Sequence, residues 1–133
     1  MNNLRIECKA FAELSVDELY EILALRSEVF VVEQNCIFLD LDYKDQKAMH
    51  LMGYDNNNQL MAYTRLFDDS VYYEGFLSIG RVVASPKGRG AGFGREIFGK
   101  SVEKIQELFG EKPIKIGRSE ERRVGKECRL TCR

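Results

Sequence analysis

The chain has 133 residues, 44% hydrophobic and 31% charged, the proportions of one globular domain with a core and not of a disordered chain. A formal net charge of −1 supplies no basic field for nucleic acid. No stretch approaches the ~20 apolar residues of a membrane span and no signal-peptide pattern opens the chain, so a soluble cytoplasmic protein is expected.

Leu4–Phe11 alternates weakly through Leu4, Ile6 and Cys8 and predicts a first strand. Ser15-Val16-Asp17-Glu18 is a capping box, and Leu14 and Leu19 stand at the two ends of a hydrophobic staple. The helix that follows carries Leu19, Ile22, Leu23, Val29 and Phe30 near a 3.6 period, so one face packs inward. Val31–Asn35 extends that helix or leaves it. Asp40, Asp42, Lys44 and Asp45 then predict a polar loop or short helix. They are not a calcium loop. Counted from Asp40, the required glycine and glutamate positions fall on Asp45 and Leu51.

His50–Tyr54 and Leu60–Phe67 are strand-like runs joined by Asp55-Asn56-Asn57-Asn58-Gln59, residues that tolerate a hairpin turn. The second run is apolar at both parities, as in a strand covered on both faces. Phe76–Ala84 is a third run, closed by Ser85-Pro86. A second helix runs from Gly94 to about Phe109 with Ile97, Phe98, Val102, Ile105, Leu108 and Phe109 as its stripe. Gly110 and Pro113 end it, and Pro113–Ile116 begins another strand. The order predicts a mixed sheet with helices on two faces.

The chemistry sits at Ile79–Gly94. A buried strand enters a loop with four glycines, and a helix opens directly after. Free amides at a helix start bind anions, glycines allow close backbone approach, and Lys87, Arg89 and Arg95 add positive charge. The pattern predicts a phosphate or pyrophosphate cradle. Gly94–Ser101 also fits the G-x-x-x-x-G-K-[ST] nucleotide-binding pattern. Ile97 and Phe98 belong to the helix stripe, however, so this match is expected to be accidental. The dinucleotide pattern G-x-G-x-x-G fails from every glycine of the loop.

Arg89-Gly90-Ala91-Gly92-Phe93-Gly94 matches Q/R-x-x-G-x-G/A between a strand and a helix. This resembles the acetyl-CoA signature of the GNAT N-acetyltransferases. Leu25–Gln34, Asp40-Leu41-Asp42 with Asp45, His50-Leu51, Tyr63–Leu66 and Ile79–Val83 extend the resemblance to their ElaA-like branch. It covers about residues 4–117. It implies an α+β, three-layer fold with a mixed, mostly antiparallel sheet and helices on both faces. It implies an enzyme moving acetyl from acetyl-CoA to a primary amine of a small molecule or protein, with no metal, no nucleic acid and no membrane. The alternative is a non-catalytic, CoA-binding or inert fragment.

The resemblance also implies roles. The backbone of Val82, Val83 and Ala84 would pair with the pantetheine arm, and an amide near Val83 would polarise the thioester carbonyl. Amides of Arg89, Gly90, Ala91, Gly92, Phe93 and Gly94, with Arg95 beside them, would hold the pyrophosphate. An acceptor amine must lose a proton to attack. Glu33 is the first candidate base, with Asp42 and His50 after it. Arg65 and Arg81, on covered strands, bind a substrate carboxylate or pair with aspartates. Cys36 reads as a small apolar or surface residue.

Family members continue past the Ile114–Ile116 strand with a helix, two strands and a tyrosine acid for the departing thiolate. Here residues 118–133 differ in character, with six bases and three acids against 14 bases and 18 acids before them. This basic tail reads as a non-native segment joined to a domain of residues 1–117 that is incomplete at its C-terminal end. It contains no tyrosine, and Cys128 and Cys132 make a poor zinc site.

Overall fold

The computed structural model describes residues 4–35 and 39–116. Among them, five strands form one sheet in chain order: β1 (Arg5–Ala10), β2 (Met49–Tyr54), β3 (Leu60–Phe67), β4 (Leu77–Ala84) and β5 (Ile114–Ile116). The first four are antiparallel neighbours, and β5 joins β4 in parallel. Parallel neighbours need a crossover, and helix α2 (Phe93–Phe109) provides it. Helix α1 (Val16–Arg26) covers the opposite face. The expected mixed, mostly antiparallel sheet with a helix on each face is therefore present. The tail at 118–133 lies outside the described residues, as do Cys36, Cys128 and Cys132.

The two faces follow from strand parity. On one, Met52, Tyr54, Tyr63 and Val83 meet Ile22, Leu25 and Phe30. On the other, Leu51, Met61 and Ala62 meet Ile97, while Leu66, Leu77 and Ile79 meet Ile105. Thr64 and Ser101 share a 2.6 Å hydrogen bond between sheet and α2. Ser15 caps α1 as the sequence predicts: its Oγ accepts from Glu18 N at 3.0 Å, and Glu18 Oε1 accepts from Ser15 N at 2.8 Å. The Asp55–Gln59 hairpin turn forms, with Asp55 Oδ1 accepting from the amides of Asn57 and Gln59 at 2.8 and 3.0 Å.

Two details differ from the sequence reading, and a third agrees with it. Helix α1 neither ends nor simply continues but widens into a π-helical turn over Ser27–Glu33. The nucleotide-loop match at Gly94–Ser101 lies wholly inside α2, and buried Ser101 donates back to Ile97 O at 2.7 Å, so no phosphate loop exists there. The second departure is the Asp40–Asp45 loop, whose acids are turned inward. Asp40 and Asp45 are buried, while Leu39 and Tyr43 are exposed.

Candidate active site

Strand β4 builds the site by dividing in two. Leu77, Ser78 and Ile79 lie opposite Ile114, Lys115 and Ile116 of β5. Beyond Ile79, no described strand flanks β4 on that side. There a cleft of about 460 Å³ opens between strand and helix, lined by Val82, Val83, Ala84, Gly94, Arg95 and Phe98. A bulge marks the division. Tyr63 and Arg65 of β3 face Val83 and Gly80, so β4 carries one residue more than β3. Arg81 sits within it at φ +51°, a left-handed backbone angle.

The loop after β4 prepares the helix start. Pro86–Gly88 is a 3-10 turn capped by Ser85, and Gly92 caps α2 at φ +79°. The first helical bond runs from Glu96 N to Gly92 O at 3.0 Å. The amides of Phe93, Gly94 and Arg95 therefore precede the helical ladder and point out of its positive end. Arg89 N and Ala91 N instead close turns onto Pro86 O and Gly88 O at 3.2 and 3.0 Å. The cleft thus gathers five of the ten residues expected to hold a cosubstrate: Val82, Val83, Ala84, Gly94 and Arg95. Phe98 joins them one turn into α2. The sequence marked it only as part of a core stripe.

The candidate bases have unlike surroundings. Glu33, the last residue of the π-helical turn, accepts from Arg89 Nη2 at 2.7 Å, which ties that turn to the glycine loop. Its side chain is 37% exposed. His50 is fully buried on β2, with Nδ1 2.6 Å from Tyr63 Oη and Nε2 2.9 Å from Asp45 O. A carbonyl can only accept, so Nε2 carries the proton and Nδ1 accepts from the tyrosine. Burial pushes the imidazole below its ordinary value. Burial alone would raise the Asp42 carboxyl, but the hydrogen-bonded Arg65 guanidinium outweighs it and holds Asp42 well below the usual carboxylate range.

Arg65 and Arg81 pair with aspartates, the second of the two fates read for them. Arg65 donates to Asp42 Oδ2 at 2.6 Å and Asp45 Oδ1 at 2.8 Å. Arg81 Nε donates to Asp40 Oδ1 at 2.7 Å. The sequence reading missed the third arginine. Arg26 is fully buried at the end of α1 and donates to Asp40 Oδ2 at 2.8 Å and Asp45 Oδ1 at 2.7 Å. Three arginines and three aspartates make a charge-balanced lattice, buried at Arg26, Arg65, Asp40 and Asp45 and partly exposed at Asp42 and Arg81. The available signal was one arginine in each of three apolar runs beside an acid-rich loop. Among the described residues no cluster of three or more His, Cys, Asp or Glu is placed to hold a metal, and no helix is long and apolar enough to cross a membrane.

A mixed five-stranded sheet with a helix on each face is a GNAT-like acyltransferase fold. The acyl-CoA N-acyltransferase of Pseudomonas aeruginosa superimposes with TM-score 0.78 at 40% identity, over 86% of this chain and 78% of that one. The crystal structure of Escherichia coli ElaA matches at 0.78 and 34%, over 86% and 77%. By sequence, Escherichia coli ElaA is 38% identical over 108 residues, 80% of this chain and 69% of that protein. The chain belongs to the ElaA-like family. A UPF0039 protein of Synechocystis is 46% identical over 95 residues, and the chain spans 60% of that relative's length. No family model matches the chain.

Proposed function

We propose that the chain is an acetyl-CoA-dependent N-acetyltransferase that acetylates a primary amine. The observation that carries this reading is the cleft between the Val82–Ala84 backbone and the start of α2. Its residues suit a pyrophosphate-bearing cosubstrate. The amides of Phe93, Gly94 and Arg95 are aimed outward, and Gly94 lacks the Cβ that would lie 3.7 Å from Ala84 Cβ across the gap. Acetyl-CoA supplies the acetyl group as a thioester, whose C–S bond breaks as the amine nitrogen bonds the carbonyl carbon.

In this reading the residues divide the work. The backbone of Val82–Ala84 aligns the pantetheine arm, with an amide near Val83 on the thioester oxygen. Phe93–Arg95 hold the pyrophosphate, with Arg89 and the Gly90–Gly92 segment at its rim. Glu33 takes the amine's proton. Of the three candidate bases it is the most exposed, whereas His50 has both ring nitrogens engaged and Asp42 is locked onto Arg65. Residues 1–117 carry 14 bases and 18 acids, which favours a cationic acceptor.

The test is thermal unfolding with and without acetyl-CoA, followed by thiol release with a panel of amines. Acetyl-CoA at 100 times its dissociation constant adds about 2.7 kcal/mol and raises the midpoint. Glu33→Gln is expected to lower kcat at least about a hundredfold, the lower end of the ~10²–10⁴ of a general base, and to leave the cosubstrate-induced shift in place. No shift in the unmodified chain refutes the reading. A shift without thiol release leaves a CoA-binding chain that does no chemistry.

A further inference from the structure

We propose that the Asp40–Arg81 ion pair is a positioning device that holds the β4 bulge in shape and thereby sets the strand backbone that faces the cleft. The proposal rests on the acetyl-CoA reading above.

The bulge decides which side chains face which layer. Leu77 and Ile79 pack on the α2 side, where Ile105 lies. An uninterrupted strand alternates, so Val83 would join them and Val82 would face α1. The structure shows the reverse. Val82 packs with the α2-side residues, and Val83 lies among Ile22, Leu25 and Tyr63. The switch happens between Ile79 and Val82, and Arg81 is the residue that departs from strand geometry, at φ +51°. The cleft-lining part of β4 begins directly after it.

A side chain with a Cβ disfavours the left-handed region, because Cβ crowds the following carbonyl. Arg81 stays there because its guanidinium is held at two points. Nε donates to Asp40 Oδ1 at 2.7 Å and Nη2 to Asp40 O at 2.8 Å. Asp40 is fixed in turn by Arg26, which donates to Oδ2 at 2.8 Å and to Asp40 O at 3.2 Å. Arg26 is fully buried, so the anchor is rigid. Strained backbone persists where surrounding contacts over-determine it, and here two arginines converge on one aspartate. Substituting Arg81 leaves Asp40 paired with Arg26, so the perturbation does not orphan a buried carboxylate.

The test compares Arg81→Ala with Arg81→Gly, measuring acetyl-CoA dissociation constants by calorimetry and KM against kcat. Glycine normally weakens a strand more than alanine does. The proposal reverses that order, because glycine adopts φ +51° without strain. Arg81→Ala is expected to bind acetyl-CoA about tenfold more weakly, the size of one left-handed residue's strain. Its KM rises and kcat at saturation stays close to that of the unmodified chain. Arg81→Gly is expected within about twofold of the unmodified chain, since glycine accepts the conformation. Should Arg81→Ala not fold, Arg81→Asn against Arg81→Thr repeats the comparison, because asparagine tolerates left-handed backbone and a β-branched residue does not. Equal losses in the paired variants overturn the proposal and give Arg81 a direct role through its side chain. No loss in either overturns it too, since the bulge then forms without the pair. If the unmodified chain binds no acetyl-CoA, the functional reading fails and takes this role with it. Binding by the unmodified chain with the wrong variant order defeats the positioning role alone.

Discussion

Gly94 puts stability and cosubstrate binding in opposition. It is the second residue of α2, and its φ is not in the left-handed region. An added Cβ would find a single neighbour, Ala84 Cβ at 3.7 Å, an ordinary van der Waals distance. Gly94→Ala therefore meets no clash in the unliganded protein, and it removes the entropic cost of glycine in a helix. The gain is at most about 1 kcal/mol in a helix interior and about half that in the first turn. For a domain of this size half a kcal/mol is roughly a 2 °C rise in melting midpoint. The same methyl group projects between strand and helix, into the space that the proposed pyrophosphate site needs. Overfilling a matched space typically costs ~1–3 kcal/mol, so binding should weaken about tenfold or more. Scanning calorimetry with and without acetyl-CoA reads both effects. The expected pattern is a higher unliganded midpoint with most of the ligand-induced rise lost. A lower unliganded midpoint would refute the packing argument, and an undiminished ligand-induced rise would refute the placement of the cosubstrate.

Three further outcomes follow from the buried polar groups and from α2. His50 is depressed in the folded state, so its contribution to stability is complete above about pH 6.5 and declines as pH falls toward its folded value. Asp42 and Asp45 are also depressed and add a second loss below about pH 4. Denaturant unfolding across pH is expected to show stability falling on acidification in both windows; a flat profile between pH 7 and about 5 would contradict the assigned state of His50. Asp45→Ala removes one charged hydrogen-bond partner each from Arg26 and Arg65, at 2.7 and 2.8 Å, and leaves them on Asp40 and Asp42, so it should cost about 1.5–3 kcal/mol. A loss under about 1 kcal/mol in urea melts would mean that the lattice is not buried as described. Lys100→Ala is expected to leave acetyl-CoA binding unchanged, because Lys100 lies in α2 with Glu103 4.0 Å away; lost affinity would restore the nucleotide-loop reading.

The sheet and both helices were legible because each rests on a local or periodic pattern. Ser15 and Glu18 cap α1 with atoms three residues apart. Asp55 turns the hairpin with amides two and four residues on. The both-parity apolar run of β3 reports two covered faces, and Tyr63 and Ala62 do pack on opposite sides. The strand–loop–helix order around the glycines was legible because Pro86 and the glycines interrupt the apolar pattern between β4 and α2. What escaped the sequence depends on partners far along the chain. Pairing of Arg65 and Arg81 with aspartates was one of two readings, but Asp40 and Asp45 look solvated until Arg26, 14 and 19 positions away, joins them. Arg81 carries no glycine to announce a left-handed turn.

These two omissions are linked, and the link explains why the site sits where it does. A bulge written with glycine would need no support and could form in any context. Written with arginine, it holds only where Asp40 is already in place, and Asp40 is in place only where Arg26 has been buried by α1. Arg26 ends α1, and the π-helical turn that begins one residue later brings Glu33 within 2.7 Å of Arg89. One lattice thus anchors the end of α1, from which the turn carrying Glu33 departs, and the bulged strand. Loosening Asp40 should therefore disturb cosubstrate binding and proton removal together, although Asp40 lines no part of the cleft.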